Sequence, residues 1–425
     1  MHDRRDFLQR AAVAAAVFGI PAARAEEHFV KETPKLPGND LFAANPERYW
    51  SELRRQWLLA PDRINLNCGS CGCSPLPVLN ATIDHMLSAE TYREGGYPWF
   101  GYEENGRLRA CRDALASLLH CKRDELALVR NATEGNNVVC NGLDLKAGDE
   151  VLLTDQEHPG GRCCWEQKAA RYGITLKYVK LPRPPAAMDE IIERFDKAIT
   201  SKTKVVFFSH ITSPTGLLLP AKELCALIRK RGALSHVDGA HAIGQIPLNM
   251  HDLGCDFYVT SPHKWLMAPK GTGTLFIREE LLDRLWVTIA SGEWNNKKQK
   301  AYRFSNIGTS NLSVMVGLKA AVDFVNTIGP DRIYKRIHEL AGKVCDGIKE
   351  FPALRLTNAS GDSFFAGLVS FEAVHGDLKG VMAALNSVRI RVAGGPGGIR
   401  IATHIFTRPA EIQALFESIE RGLKT

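Results

Sequence analysis

Residues 256–273, DFYVTSPHKWLMAPKGTG, run from an apolar, β-branched segment straight into Ser261, Pro262, His263 and Lys264. The opening residues read as a buried strand. A solvated lysine needs no such setting, whereas a lysine that is desolvated, held still and kept partly unprotonated does. GTGTLFI (271–277) follows too closely for a crossover helix, so this strand is expected to run antiparallel to its neighbour.

Upstream, ELALVR (125–130), EVLLTD (150–155), LKYVKL (176–181), KVVFFSHI (204–211) and LSHVD (234–238) are short, β-rich and apolar on both faces. Helix-length segments separate most of them: Thr133–Leu143, Gly160–Tyr172, Met188–Ile199 and Ala221–Arg231. Strands buried on both faces and alternating with helices predict an α/β fold. Its large domain is a mostly parallel seven-stranded sheet covered by helices. Beyond residue 300, two long helical patterns (Leu312–Thr327 and Asp331–Phe351) precede the short strands RLTN, GLVSF and VRIRVA and a last helix, Pro409–Lys424. This reads as a smaller C-terminal α+β domain. The expected organisation is a leader over 1–25, an N-terminal arm over 26–65, a large domain over 66–300 and the small domain over 301–425.

The chain has 425 residues, 45% hydrophobic and 24% charged, an ordinary balance for a soluble globular protein. Its net charge of +7 is spread along the sequence without a basic block, which argues against nucleic-acid binding. The N-terminus carries MHDRRDFLQR, an apolar run from Ala11 to Ile20, and a small-x-small site at Ala23-Arg24-Ala25. The pair Arg4-Arg5 followed by Phe7-Leu8 resembles a twin-arginine signal, which implies passage through the twin-arginine export machinery and a periplasmic destination. Neither the leader's apolar run nor any later segment is long enough for a stable membrane span. The cysteines number 11, and Cys68, Cys71 and Cys73 form a C-x-x-C-x-C cluster that lacks the second pair a zinc site usually has. Buried structural thiols and a redox role both remain open for that cluster, and no metal site is expected.

In sheets of this kind ligands bind outside the carboxyl ends of the strands. Four polar clusters fall there. RNATEGNN (130–137) opens a helix, and its start offers backbone N–H groups to an anion, or simply a cap from Asn131 or Thr133. DQEHPGG (155–161) offers His158, as a capping residue or as part of a site. SHVDGAHAIGQ (235–245) puts Asp238 at a strand end, as a metal ligand, a cap or the partner of a protonated ring nitrogen. TSPHKW supplies Lys264 one strand–helix–strand unit later. An anion cradle, an inward aspartate and a sequestered lysine together are what pyridoxal phosphate demands.

On these residues the chain resembles the class-V aminotransferase group of fold-type-I pyridoxal-phosphate enzymes, which includes cysteine desulfurases and isopenicillin-N-epimerase-like proteins. The likeness runs from INLNCGSCGCSPLPVL (64–79) to IRIATHIFT (399–407). VDGAHAIGQIPL and SHITSPTG (209–216) look most like the epimerase branch. The resemblance implies pyridoxal 5'-phosphate as cofactor and Lys264 as Schiff-base lysine and proton shuttle. It implies Asp238 on the ring nitrogen, His158 against the ring face, and Ala132, Thr133, Ser261 and His263 at the phosphate. His241 stands where a side chain reaches the ring's 3-oxygen. Thr309 matches a threonine supplied by the partner subunit, which implies a homodimer, and Arg400 matches the arginine that grips a substrate carboxylate.

Two departures stand out. Ser213 replaces the asparagine of many relatives after the SH strand, which leaves one ring contact in doubt. RVAGGPGGIR (391–400) contains no persulfide-forming cysteine, which argues against a desulfurase of that type. A transaminase-type conversion at Cα of an amino acid is expected, with epimerisation or β-lysis as alternatives. The periplasmic address favours an amino-acid residue of a larger secreted or peptide-derived metabolite such as a siderophore. Tyr97, Trp99 and Phe100 are read as substrate-pocket walls or as ordinary packing. A non-catalytic binding protein that keeps the fold is the rival from another class.

Overall fold

Strand residues that are apolar on both faces leave a sheet no option but to be covered twice, and this chain does so. The computed structural model describes residues 32–91, 106–358, 361–395 and 398–424. The leader and the aromatic segment with Tyr97, Trp99 and Phe100 lie outside the described residues. All elements below belong to the unit Leu36–Thr425.

The main sheet comprises β1 (Leu126–Val129), β2 (Glu150–Thr154), β3 (Thr175–Val179), β4 (Thr203–Ser209), β5 (Leu234–Asp238), β6 (Phe257–Thr260) and β7 (Gly273–Ile277). Its order is β1-β7-β6-β5-β4-β2-β3. β7 pairs antiparallel with β1 and β6, and the other four pairings are parallel. Six strands therefore point one way and β7 opposes them, as its close spacing to β6 requires.

Alternation along the strands feeds two apolar layers. Leu152, Val206, Phe208, Val237 and Tyr258 pack on one face with α3 (Met188–Ala198), α4 (Ala221–Lys230) and α5 (Leu312–Ile328). Val151, Val205, Phe207, Phe257 and Val259 pack on the other with the helices Ala132–Gly142 and Pro159–Tyr172, here α1 and α2. With both faces sealed, polar chemistry is left to the strand ends.

The last third of the chain builds a second, antiparallel sheet from β8 (Leu354–Leu356), β9 (Leu368–Ala373), β10 (Ala393–Gly395) and β11 (Gly398–Ala402), ordered β10-β11-β9-β8. It packs Val369, Phe371, Ile399 and Ile401 against α6 (Pro330–Lys349) and α7 (Pro409–Leu423). Here the structure corrects one expectation and adds a strand to the others. VRIRVA is not one strand: Ile390–Arg391 pairs in parallel with Ile64–Asn65, and only then does the chain enter β10. GIRIA, masked in the sequence by its flanking glycines, forms β11 between β10 and β9.

Phe208 is fully buried and meets Phe195 of α3 edge-on at 5.9 Å. Phe208→Ala leaves a void between sheet and helix and is expected to cost about 3–5 kcal/mol. The check is a lower denaturant midpoint with an unchanged slope.

Candidate functional site

The parallel strands end side by side, with Ser209 of β4 level with Asp238 of β5, and Asp238 level with Val259 of β6. Above those ends lies a cavity of about 640 Å³. Its floor holds Asp238, His241 and Lys264, and its flanks hold Ala132, Thr133 and His158. Ser261 and His263 line it beside Lys264, while Ser213 and Arg400 close the side toward the second sheet. Thr309 is exposed and lies outside these walls.

Two helix starts converge on the cavity. Asn131 caps α1 by accepting from the Glu134 N–H, and the Ala132 N–H donates to Ser261 Oγ at 3.1 Å. His158 caps α2 through Nδ1, which accepts from the Gly160 N–H at 3.0 Å, and Pro159 follows at the first helical position. That cap leaves the neutral imidazole its proton on Nε2. The helix starts meet because residue 160 is glycine: a Cβ there would stand 2.5 Å from Thr133 Oγ1. Two converging N-terminal dipoles make this corner suited to an anion.

Asp238 is held from two sides. Its Oδ1 accepts from the Ala240 N–H at 2.9 Å and its Oδ2 from Asn136 Nδ2 at 3.0 Å. A Cβ at Gly161 would crowd both the Phe207 ring and Asp238 Oδ2.

Lys264 Nζ lies 3.2 Å from His241 Nε2. Burial pushes the amine down from its ordinary value to about 8; Arg400 adds to the shift, while Asp238 and Cys71 oppose it. Burial, with the charges of Lys264 and Arg400, holds His241 well below the usual histidine range. His158 and His263 are also lowered, chiefly by burial. His263 Nδ1 faces the Thr272 carbonyl at 3.1 Å. Behind the lysine, the Gly72 N–H donates to the His263 carbonyl, and a Cβ at 72 would fall 1.9 Å from the Lys264 carbonyl oxygen. The cysteine loop therefore backs the lysine. Within it Cys68 is buried, Cys71 exposed and Cys73 half-buried, all as free thiols.

Arg400, from the centre of β11, is buried. Nη1 donates to the Ser213 carbonyl (2.6 Å) and Oγ (3.1 Å), and Nη2 to Ser70 Oγ (3.1 Å) and Asn67 Oδ1 (3.4 Å). All four acceptors are neutral. A guanidinium buried among neutral oxygens keeps its capacity for a planar carboxylate.

Three residues at or behind these walls escaped sequence reasoning: Asn136, Glu157 and Trp265. Glu157 lies in the cavity wall, where Oε1 accepts from Thr154 Oγ1 (2.5 Å) and Oε2 from Ser209 Oγ (2.6 Å). Burial raises its carboxyl to about 7, with the Asp238 charge adding to the rise and the hydroxyls opposing it. Only the adjoining histidine hinted at it in the sequence. Since the folded carboxyl keeps its proton above the unfolded value, it binds more protons than the unfolded chain between pH 4.5 and about 7, and stability falls across that window. Glu157→Gln removes this fall, so the variant should gain on the parent as pH rises through that range, by roughly 3 kcal/mol at most. Denaturant titrations at pH 5 and 8 check it.

Comparison with known proteins gives one family. The aminotransferase class-V model matches residues 74–414. Isopenicillin N epimerase of Amycolatopsis lactamdurans is 32% identical over 394 residues, covering 87% of this chain and 98% of the relative. A probable cysteine desulfurase of Halalkalibacterium halodurans is 26% identical over 383 residues, covering 84% and 92%. Among solved structures, a mutant of C-DES with glycine covalently linked to its PLP cofactor superposes with a TM-score of 0.74 at 27% identity, covering 86% of this chain and 98% of that one. A lysine and an aspartate at adjacent strand ends, under two converging helix starts, are thus set in a chain that belongs to the class-V aminotransferase family.

Proposed function

We propose that this protein is a pyridoxal-5'-phosphate enzyme acting at Cα of an amino acid, in the manner of a transaminase. The observation that carries this reading is the meeting of Asp238, Lys264 and two helix N-termini around one cavity. The donor set fits the group at each end. The corner formed by Ala132, Thr133, Ser261 and His263 suits its phosphate, the carboxylate of Asp238 suits its protonated ring nitrogen, and the Lys264 amine suits its aldehyde. His158 at the cavity wall would cover the ring face, with His241 and Ser213 beside the ring. Once bound, the cofactor supplies a conjugated ring able to accept the electron pair left when a bond at Cα breaks.

The chain's own residues do the rest. Arg400 binds the substrate carboxylate and fixes which Cα bond faces the lysine. Lys264 Nζ, with a proton affinity suited to neutral pH, takes the Cα proton and returns it. Asp238, held in place by the Ala240 and Asn136 donors, holds a proton at its partner nitrogen. Thr309, exposed on its own subunit, is available to the cavity of a second copy in a homodimer. Epimerisation is the second reading, favoured by the 32% identity to isopenicillin N epimerase. It requires a second acid on the face opposite Lys264.

For substrate and place, the twin-arginine-like leader supports a periplasmic enzyme acting on an amino-acid residue of a secreted metabolite such as a siderophore. Small residues support room for such a substrate: Ala393, Gly394 and Gly398 line the cavity next to Arg400.

Purified protein supplied with pyridoxal phosphate should show a visible absorption band that Lys264→Ala abolishes; a colourless wild type would overturn the assignment. Mass spectrometry of products from periplasmic extracts then separates transamination, which changes mass, from epimerisation, which does not. Replacing Arg4 and Arg5 together with lysine should leave the precursor inside the cell, as read by fractionation, and unchanged export would refute the address.

A further inference from the structure

The Lys264 amine touches one imidazole, and the state of that imidazole is set from behind. His241 Nδ1 lies 3.2 Å from Trp265 Nε1, and an indole nitrogen only donates. His241 Nδ1 is therefore the acceptor, and the neutral ring carries its proton on Nε2, the atom 3.2 Å from Lys264 Nζ. An Nε2–H facing an ammonium would set donor against donor. The contact is a hydrogen bond only when the amine is neutral and offers its lone pair.

The indole has no freedom to turn away. It is fully buried, and His404 stacks on it at 5.7 Å and 15°. His404 Nδ1 accepts from the Ile405 N–H at 2.9 Å, so its Nε2–H points to the Trp265 carbonyl at 3.2 Å. Gly367 lies against the six-membered ring of the indole, and a Cβ there would come within 2.7 Å of it. The histidine is fixed as well: Gln245 donates to the His241 carbonyl and accepts from the Gly367 N–H at 2.7 Å.

We propose that Trp265 is a positioning residue whose indole N–H locks His241 in the Nε2–H tautomer and thereby selects the uncharged amine of Lys264. Other groups around that amine act by charge alone. Asp238 at the end of β5 and Cys71 on the 68–73 loop favour the ammonium, and Arg400 on β11 disfavours it. His158 at the α2 cap and His263 beside the lysine are close enough to sense its charge. The lock differs in kind because it makes the protonated amine lose a hydrogen bond, not merely a favourable field. Its catalytic meaning rests on Lys264 holding the cofactor aldehyde, but its existence does not.

The test uses the full-length chain, freed of any bound aldehyde so that the Lys264 amine is open to labelling, with 15N-labelled histidine. Trp265→Phe keeps a ring under His404 and deletes the N–H; benzothienylalanine at 265, isosteric with tryptophan, guards against misfolding of the first variant. In the wild type, long-range ring 1H–15N correlations should show His241 as Nε2–H alone. Competitive acetylation of Lys264, read by peptide mass spectrometry, should be half-complete near pH 8. Either variant should populate the Nδ1–H tautomer and raise the half-labelling pH by about one unit, a tenfold gain in proton affinity. In a His241→Phe background the same replacements should shift nothing. An Nδ1–H tautomer in the wild type, or variants that leave tautomer or labelling pH unchanged, overturns the proposal. A chain that shows the lock yet gives no visible band with pyridoxal phosphate would refute the assigned function alone.

Discussion

An amine made easier to deprotonate by its burial inside a protein is the constraint around which this molecule is arranged. Water stabilises ammonium, so the lysine has to stand where water is scarce, and the protein has to give the free base something to bond. Both conditions are met at the carboxyl edge of a sheet whose two faces are sealed by aliphatic and aromatic layers. That edge gathers groups the interior would otherwise reject: a carboxylate, several imidazoles and a guanidinium, each held by donors or acceptors from a different element. Burial lowers the lysine and the histidines and raises Glu157, so the cavity as a whole disfavours isolated charge. Asp238 and Arg400 each make hydrogen bonds on two sides.

The site is shared between the two sheets. Lys264, Asp238 and the helix starts come from the large sheet, whereas Arg400 comes from the small one and Trp265 leans on Gly367 and His404 from the same late segment. Such an arrangement couples the proton affinity of the amine to packing far along the chain. It also separates two tasks, because the residues suited to a cofactor belong to the parallel sheet and the cation suited to a carboxylate belongs to the antiparallel one.

Much of this was legible in the sequence because the physics is local. Strands apolar on both faces announce a covered parallel sheet, and polar clusters just beyond their ends announce a ligand site. The sequence alone therefore groups Asp238, His158 and Lys264 at one edge of the sheet. Where the reading failed, the signal was non-local or suppressed. β11 begins among glycines, which have low strand propensity, so the strand carrying Arg400 was not among those expected. VRIRVA has strand character throughout, yet its two halves find different partners, and the choice depends on Ile64–Asn65 more than 300 residues earlier. Asn136, Glu157 and Trp265 owe their importance to atoms 24 to 102 residues away. No window of sequence contains those pairs.

The wall around Arg400 has one more implication. Ile64–Asn65 pairs with Ile390–Arg391, Asn67 bridges to Ala402, and Arg400 itself binds Asn67 and Ser70. Residues 64–70 are thus stitched to residues 390–402. Before these two stretches meet, residues 64–70 have nothing to close against, and this side of the cavity stays open however well the large sheet has formed. Completing the Arg400 side of the site therefore requires closing a span of more than 300 residues, an entropic cost that the local strand–helix units do not bear.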